Sequence, residues 1–191
     1  MNDPIRVLGI AGSLRQKSFN RAALRAAVEL APEGMTIETF DLAPIPLYDE
    51  DVRSRGLPDA VEAFRQKIRD ADAMLIVTPE YNYSIPGVLK NAIDWASRPP
   101  EQPFEGLPIA IMGASPGRLG SARAQYHLRQ CFVFLNALIL NKPEVMIGGA
   151  GQVFDDQLRL TDDKTREMIQ RLLASLADWT RRHGRGRTRE T

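Results

Sequence analysis

The sequence contains a single cysteine, Cys131, and only two histidines, His127 and His183, among its 191 residues. One cysteine excludes an internal disulfide framework and is typical of a reducing compartment. Two isolated histidines do not form a cluster with metal-ligand spacing, so we expect no metal site. The longest nearly apolar run, residues 131–140, is about half of what a membrane-spanning helix needs. No apolar stretch near residue 1 resembles a signal peptide, and we therefore expect a soluble, cytoplasmic protein.

The chain also lacks an excess of either charge. Lys plus Arg amounts to 25 and Asp plus Glu to 24, which gives a formal net charge of +1. This balance provides no electrostatic reason to expect nucleic acid as the main partner. The exception is the end of the chain, which contains Arg181, Arg182, Arg185, Arg187 and Arg189. Nucleic-acid binding is one interpretation of this tail, and we favour a disordered terminus at residues 183–191.

Short apolar runs alternate with helical patterns along the chain. Five runs predict strands, at residues 5–10, 35–40, 73–78, 107–113 and 143–147. Helical periodicity follows each of them, and the fourth helix is expected to run from Ser121 to about Leu135. This alternation is typical of one α/β domain, here residues 1–182, with a five-stranded, doubly wound parallel sheet and helices on both faces. Ligands bind such sheets beyond the carboxyl ends of the strands, so the loops after strands one, three and four are expected to carry the chemistry.

The loop after the first strand has neither of the common nucleotide-binding motifs. Residues 9–20 lack both Gly-x-Gly-x-x-Gly and Gly-Lys-Ser/Thr. They provide Ser13, Arg15, Ser18 and Asn20 just before a helix, where hydroxyls and free N–H groups favour an anion such as a phosphate monoester. An equal alternative is that Ser18 or Asn20 only caps the helix.

The loop after the third strand combines two prolines and two tyrosines with Asn82, in the sequence Thr-Pro-Glu-Tyr-Asn-Tyr-Ser-Ile-Pro at residues 78–86. Prolines fix the backbone donors and acceptors between them, and tyrosines offer flat faces with polar tips. The combination suits a planar heterocycle such as a flavin ring. The alternative is a rigid surface turn with tyrosines packed at its base. Glu80 could act as a general base, but a single carboxylate is more often solvated or bonded to the backbone. Ser84 is expected to cap the next helix.

The loop after the fourth strand, residues 113–121, supplies three glycines and Ser115. Small residues let the backbone approach a ligand closely. Arg118 is a candidate for a phosphate of a second, exchanging ligand or is simply a solvated charge. The following helix carries His127, interpreted as a surface residue, and Cys131, interpreted as a core or interface residue. Since residues 131–135 are apolar around the whole predicted helix, a core position and a subunit interface are both open.

At these residues the sequence resembles the NADPH-dependent FMN reductase family of the flavodoxin-like superfamily, and it is similar to the bacterial chromate and quinone reductases within it. The matching stretches are residues 12–20, 78–97, 113–120 and 141–146, and the resemblance spans about residues 5–180. It implies a flavodoxin-like three-layer sandwich with bound FMN and with NADPH or NADH as co-substrate. It also implies a ping-pong mechanism, a small-molecule acceptor (a quinone, flavin, azo compound or chromate) and a homodimer or homotetramer.

The resemblance further implies a role for each residue of the site. The phosphate of FMN would be lined by Ser13, Arg15, Ser18 and Asn20, and the isoalloxazine edge would be surrounded, mainly through the backbone, by Pro79, Glu80, Tyr81 and Asn82. Ser115 and Gly117 would close the far side. Pro116 departs from the glycine common in related sequences and removes one backbone N–H. No protein residue is assigned as a catalytic acid or base.

Two other functions compete with this hypothesis. The first is a flavin-binding electron carrier or sensor without turnover of its own, although carriers of the flavodoxin type are usually strongly acidic and this chain is not. The second is a phosphate-binding hydrolase of similar topology, which the sequence disfavours because it shows no nucleophile paired with a general acid.

Overall fold

The computed structural model describes residues 4–184, in which one parallel sheet lies between two layers of helices. The strands are β1 (Ile5–Ala11), β2 (Met35–Phe40), β3 (Ala73–Val77), β4 (Pro108–Ala114), β5 (Leu138–Ile139) and β6 (Val145–Ile147). Their spatial order is β2-β1-β3-β4-β5, and β6 also pairs with β4. This is the flavodoxin-like strand order, so the predicted fold class is confirmed.

The last position of the sheet differs from the prediction of one strand at residues 143–147. Two short strands share the edge of β4, with Ile109 opposite Ile139 in β5 and Met112 opposite Val145 in β6. Residues 140–144 interrupt the pairing between them. That segment contains polar side chains and Pro143, which has no N–H for a strand ladder. The sheet therefore has six strands in five positions.

Seven helices connect the strands: α1 (Phe19–Glu29), α2 (Glu50–Arg53), α3 (Asp59–Asp70), α4 (Gly87–Ala96), α5 (Ala122–Cys131), α6 (Ala150–Val153) and α7 (Asp163–His183). The short α2 and α6 were not predicted. Helices α1 and α7 pack against one face of the sheet, and α3, α4 and α5 pack against the other. Because both faces are covered, all five residues of β3 are buried and apolar.

Helix α5 ends at Cys131, four residues before the predicted end. Beyond it, Phe132 and Leu135 are 1% and 7% exposed, whereas Val133 and Phe134 are 78% and 96% exposed. The expectation of a helix that is apolar on every side is therefore wrong. The apolar residues divide between core and surface because the chain turns there, and of these four only Val133 and Phe134 are exposed enough to contact another subunit.

Helix α7 starts with Asp162 as its N-cap and extends to His183, one residue past the predicted end of the domain. The other tail residues, 185–191, and residues 1–3 lie outside the described residues. Among the helices of residues 4–184, none is both long and apolar enough to cross a membrane.

Candidate functional site

A cleft of about 270 Å³ opens at the carboxyl edge of the sheet, where the loops after β1, β3 and β4 meet. The meeting of these loops agrees with the sequence-based expectation. The cleft is lined by Ser13, Arg15, Ser18, Phe19, Asn20, Pro79, Glu80, Tyr81, Ala114, Ser115 and Pro116. Two residues predicted for the site, Asn82 and Gly117, do not line this cleft and are exposed in the same loops. Phe19 and Ala114 were missed, because each reads as an ordinary member of an apolar helix or strand pattern.

The amino end of α1 forms one side of the cleft. Ser18 is its N-cap, and the Ser18 Oγ accepts hydrogen bonds from the N–H groups of Asn20 at 3.2 Å and Arg21 at 3.4 Å. Ser18 therefore caps α1. Within residues 4–184, the backbone N–H groups of residues 13–17 and of Phe19 make no hydrogen bond. Several donors thus remain available at the positive end of the α1 dipole.

Two cations accompany these donors. Arg15 and Lys17 are both exposed, and neither forms an ion pair within the described part of the chain. Ser13 is 4% exposed and lines the same cleft. This end of the cleft therefore combines positive charge, backbone donors and a hydroxyl.

Asn20 joins the loops after β1 and β4. It is 3% exposed, its Nδ2 donates to the carbonyl of Ala114 at 2.9 Å, and its Oδ1 accepts from the N–H of Ala114 at 2.8 Å. These two bonds fix the side-chain amide between segments 94 residues apart. We interpret Asn20 as a residue that positions the cleft walls.

The loop after β3 contains a tight turn in which Tyr81 and Ser84 exchange two backbone hydrogen bonds of 3.0 Å. The central residues, Asn82 and Tyr83, have φ values of 48° and 67°. Asparagine tolerates this left-handed region, but a tyrosine adopts it rarely, and such strain persists only where the surroundings hold it. Tyr81 and Tyr83 are 52% and 66% exposed. The alternative of tyrosines packed at the base of the turn is therefore wrong.

The carboxylate of Glu80 is bonded to the amino end of α5. Its Oε2 accepts from the N–H groups of Arg123 at 3.0 Å and Ala124 at 3.2 Å, and it forms an ion pair with the Arg123 guanidinium. Burial raises the pKa of Glu80, but the hydrogen bonds from Arg123 and Ala124 outweigh this, so the pKa lies below its usual value. The backbone-bonded interpretation is confirmed, and Glu80 is not a free general base.

Two further contacts join the turn to α5. The Arg123 guanidinium lies 3.6 Å from the centroid of the Tyr83 ring. The Ser84 Oγ lies 3.1 Å from the His127 Nδ1. This contact agrees with the interpretation of His127 as a surface residue of the helix. The prediction that Ser84 caps α4 is wrong, because the helix begins at Gly87 with Pro86 in the N-cap position and no side-chain cap. The pre-set φ of Pro86 moves the start of the helix away from Ser84.

The loop after β4 is held by close backbone packing. A Cβ on Gly113 would lie 2.0 Å from the Ser121 Oγ and 2.2 Å from the Thr78 carbonyl oxygen. The Ser115 Oγ accepts from the Gly117 N–H at 3.1 Å. Arg118, in contrast, is exposed and has no side-chain partner among residues 4–184. Gly113, near the end of β4, is thus required by the packing, whereas a Cβ on Gly117 would meet only the Ser115 Oγ at 3.5 Å. Arg118 is free to meet a ligand.

Cys131 is half-buried at the other end of α5, outside the cleft lining. Burial raises the pKa of its thiol, which disfavours the reactive thiolate. In residues 4–184 there is also no group of three or more His, Cys, Asp and Glu side chains arranged to hold a metal ion.

Comparison with known proteins shows the family to which the chain belongs. Residues 5–152 match the NADPH-dependent FMN reductase family. The chain is 64% identical to an NAD(P)H-dependent FMN reductase of Pseudomonas aeruginosa, over 95% of this chain and 98% of that protein. It is 45% identical to a quinone reductase of Escherichia coli, over 95% and 98% of the two chains. Its fold is similar to that of FerB, a flavoenzyme NAD(P)H:(acceptor) oxidoreductase from Paracoccus denitrificans, with a TM-score of 0.87, 33% identity and coverage of 95% and 100%.

The chain belongs to the NADPH-dependent FMN reductase family. It is therefore an oxidoreductase, and the resemblance seen in the sequence is confirmed. FMN as cofactor and NAD(P)H as co-substrate follow from membership of the family.

Proposed function

We propose that this protein binds FMN in the cleft between the loops after β1, β3 and β4 and uses NAD(P)H to reduce small-molecule acceptors, with quinones as the leading class. The observation that carries the proposal is the combination of an anion-binding helix end with a rigid, aromatic turn beside it. The names of the relatives support the reaction class. The assignment of individual residues rests on the geometry of the cleft.

The amino end of α1 fits the phosphate of FMN. The unpaired N–H groups of residues 13–17 and Phe19 supply donors to a dianion, and Arg15 supplies a positive charge. The Ser13 hydroxyl lines the same place, whereas the hydroxyl of Ser18 is already engaged as the helix cap. Ser13 and Arg15 would therefore contact the phosphate, and Ser18 and Asn20 would shape its site.

The turn after β3 fits the edge of a flavin ring. The backbone N–H groups of Glu80 and Asn82 make no hydrogen bond within the described chain, and Pro79 and Tyr81 line the cleft. Ser115 lies on the opposite side, next to Pro116. Gly117 would contribute through its backbone, although its N–H already donates to Ser115.

FMN held by Ser13, Arg15 and the turn after β3 would supply the redox chemistry between NAD(P)H and the acceptor, in a ping-pong sequence. The chain would bind and orient the reactants, and no side chain is needed as an acid or base. Quinones, flavins, azo compounds and chromate are all candidate acceptors, since an open cleft tolerates different shapes. We also infer a cytoplasmic location from the single cysteine.

The proposal is tested by purifying the protein, recording its visible spectrum with and without added FMN, and adding NADPH without oxygen. Yellow absorbance that bleaches on addition, with steady NADPH consumption when a quinone is present, is the expected result. Bleaching without turnover would favour the electron carrier or sensor. A protein that is colourless after incubation with excess FMN and removal of the unbound flavin would refute the cofactor site and every residue assigned to it.

The choice between NADPH and NADH is expected to depend on an unpaired cation at the mouth of the cleft. Arg15 and Arg118 are exposed and lack partners among the described residues, so either can meet the 2′-phosphate of NADPH. Replacing the responsible arginine with alanine should raise the KM for NADPH about tenfold, roughly the effect of one lost charge-assisted hydrogen bond, and leave the KM for NADH unchanged. Because Arg15 is also assigned to the FMN phosphate, steady-state kinetics of R15A and R118A with both cofactors are measured at FMN concentrations that saturate each variant. An unaltered preference in both variants removes the idea.

A homodimer or homotetramer is expected on the ground that Val133 and Phe134 are exposed side by side at the end of α5. A contact between two copies of the chain would cover this apolar pair. Sedimentation at micromolar concentration should show an oligomer, and Phe134→Ser should shift it toward smaller species without loss of secondary structure. A clean wild-type monomer would contradict the expectation.

A further inference from the structure

We propose that Glu80 is a positioning residue whose carboxylate fixes the Tyr81–Ser84 turn against the first turn of α5 and thereby sets the orientation and electrostatics of the flavin site. The inference rests on the proposed function, because the turn is taken to border the ring. What it adds is a role for the side chain of Glu80, beyond the backbone contact that the family resemblance implies.

Helix α5 depends on Glu80 because it has no cap of its own. Ser121, the N-cap residue, is in the left-handed region with a φ of 68° and makes no capping bond. Its Oγ instead lies 3.3 Å from the Nε2 of Gln125, which donates to it. The N–H groups of Arg123 and Ala124 in the first turn of α5 have no acceptor within the helix. They donate instead to the carboxylate of Glu80, which lies 43 residues before Arg123 in the sequence. Since the Glu80 side chain is only 9% exposed, its bonds to Arg123 and Ala124 are shielded from water.

The link continues along one face of α5. Arg123 holds Glu80 and also covers the ring of Tyr83, and His127, four residues further on, contacts Ser84. Residues four apart lie on the same side of a helix. The turn is therefore supported along its length, which explains how Tyr83 remains in a backbone region that tyrosine rarely adopts.

Two consequences follow for the flavin site. Loss of the Glu80 bonds would let the turn shift, and displacement of binding groups by a fraction of an ångström weakens a preorganised site. The charge of Glu80 also balances that of Arg123 beside the cleft. Removing the carboxylate alone leaves Arg123 uncompensated, and a positive charge near the ring favours the reduced, more negative flavin.

The test compares Glu80→Gln with the control Asp162→Asn. The control also removes the charge of a carboxylate that caps a helix, because the Asp162 Oδ2 accepts from the Thr165 N–H at 2.7 Å, and this cap lies outside the cleft. For E80Q we expect the FMN dissociation constant to rise about tenfold through lost preorganisation. The flavin midpoint potential should move in the positive direction, and amide hydrogen exchange at residues 80–84 should be faster in the apoprotein. D162N should lower the Tm and change none of these three quantities.

Arg123→Gln provides the complementary variant, because it leaves Glu80 uncompensated and should move the midpoint potential in the negative direction. It also decides the question if E80Q does not fold. A Tm decrease in E80Q with unchanged FMN affinity, potential and exchange would show that Glu80 only caps α5, and the proposal would be wrong. If the wild-type protein binds no FMN, the proposed function fails, and hydrogen exchange in the apoprotein still tests whether Glu80 holds the turn.

Discussion

Replacing Gly113 with alanine is expected to destabilise the fold by about 3 kcal/mol, at the upper end of overpacking effects, and to abolish FMN retention. The added methyl group would sit 2.0 Å from the Ser121 Oγ and 2.2 Å from the Thr78 carbonyl oxygen. Thr78 directly follows β3 and is fully buried, so its carbonyl cannot move without shifting the turn that follows. The clash therefore disturbs two walls of the cleft at once.

Thermal unfolding and FMN titration of G113A check this expectation, with a Tm decrease of about 10 °C for a chain of this size. Gly151→Ala is the matched control, since a Cβ at Gly151 meets nothing within 4 Å and the residue lies in helix α6. G151A should be neutral or slightly stabilising, because alanine is the better helix former. A G113A protein as stable as G151A would show that the backbone around β4 yields more easily than its packing indicates.

The fold was largely predictable because each buried element has its own local pattern. The run at residues 73–78 predicted a strand covered on both faces, and five of its residues form the fully buried strand β3. The errors lie where apolar residues do not form a regular element. Residues 131–140 contain a helix end, an exposed pair at Val133 and Phe134, and the two-residue strand β5, and no single periodicity describes them.

The candidate site was predictable at the level of loops and less so at the level of side chains. Parallel strands bring their carboxyl ends to one edge, so Ser13, Pro79 and Ser115 were expected to be neighbours before any contact was known. The partners of Asn20 and Glu80 could not be read from the sequence. They are 94 and 43 residues away, and the pairing depends on where α1 and α5 dock on the sheet.

Replacing Asn20 with alanine is expected to cost about 3 kcal/mol of stability and to weaken FMN binding at least tenfold. The side-chain amide is the partner of both the N–H and the carbonyl of Ala114, which is 2% exposed. Truncation leaves two buried backbone groups without partners, and each such group costs about 1–3 kcal/mol. Because the same bonds hold α1 against the loop after β4, the cleft should also open.

The control for this prediction is Asn91→Ala, since Asn91 makes an equivalent pair of backbone bonds outside the cleft. Its Oδ1 accepts from the Tyr48 N–H at 2.8 Å and its Nδ2 donates to the Pro46 carbonyl at 2.8 Å. N91A should lose less stability, because the Pro46 carbonyl retains a bond from Trp95, and should bind FMN like the wild type. Both variants are to be titrated at a temperature at which both remain folded. Equal FMN affinity of N20A and N91A would mean that the α1–β4 connection stabilises the domain without shaping the cofactor site, whereas a loss confined to N20A would show that the helix end and the loop must be held together to bind the flavin.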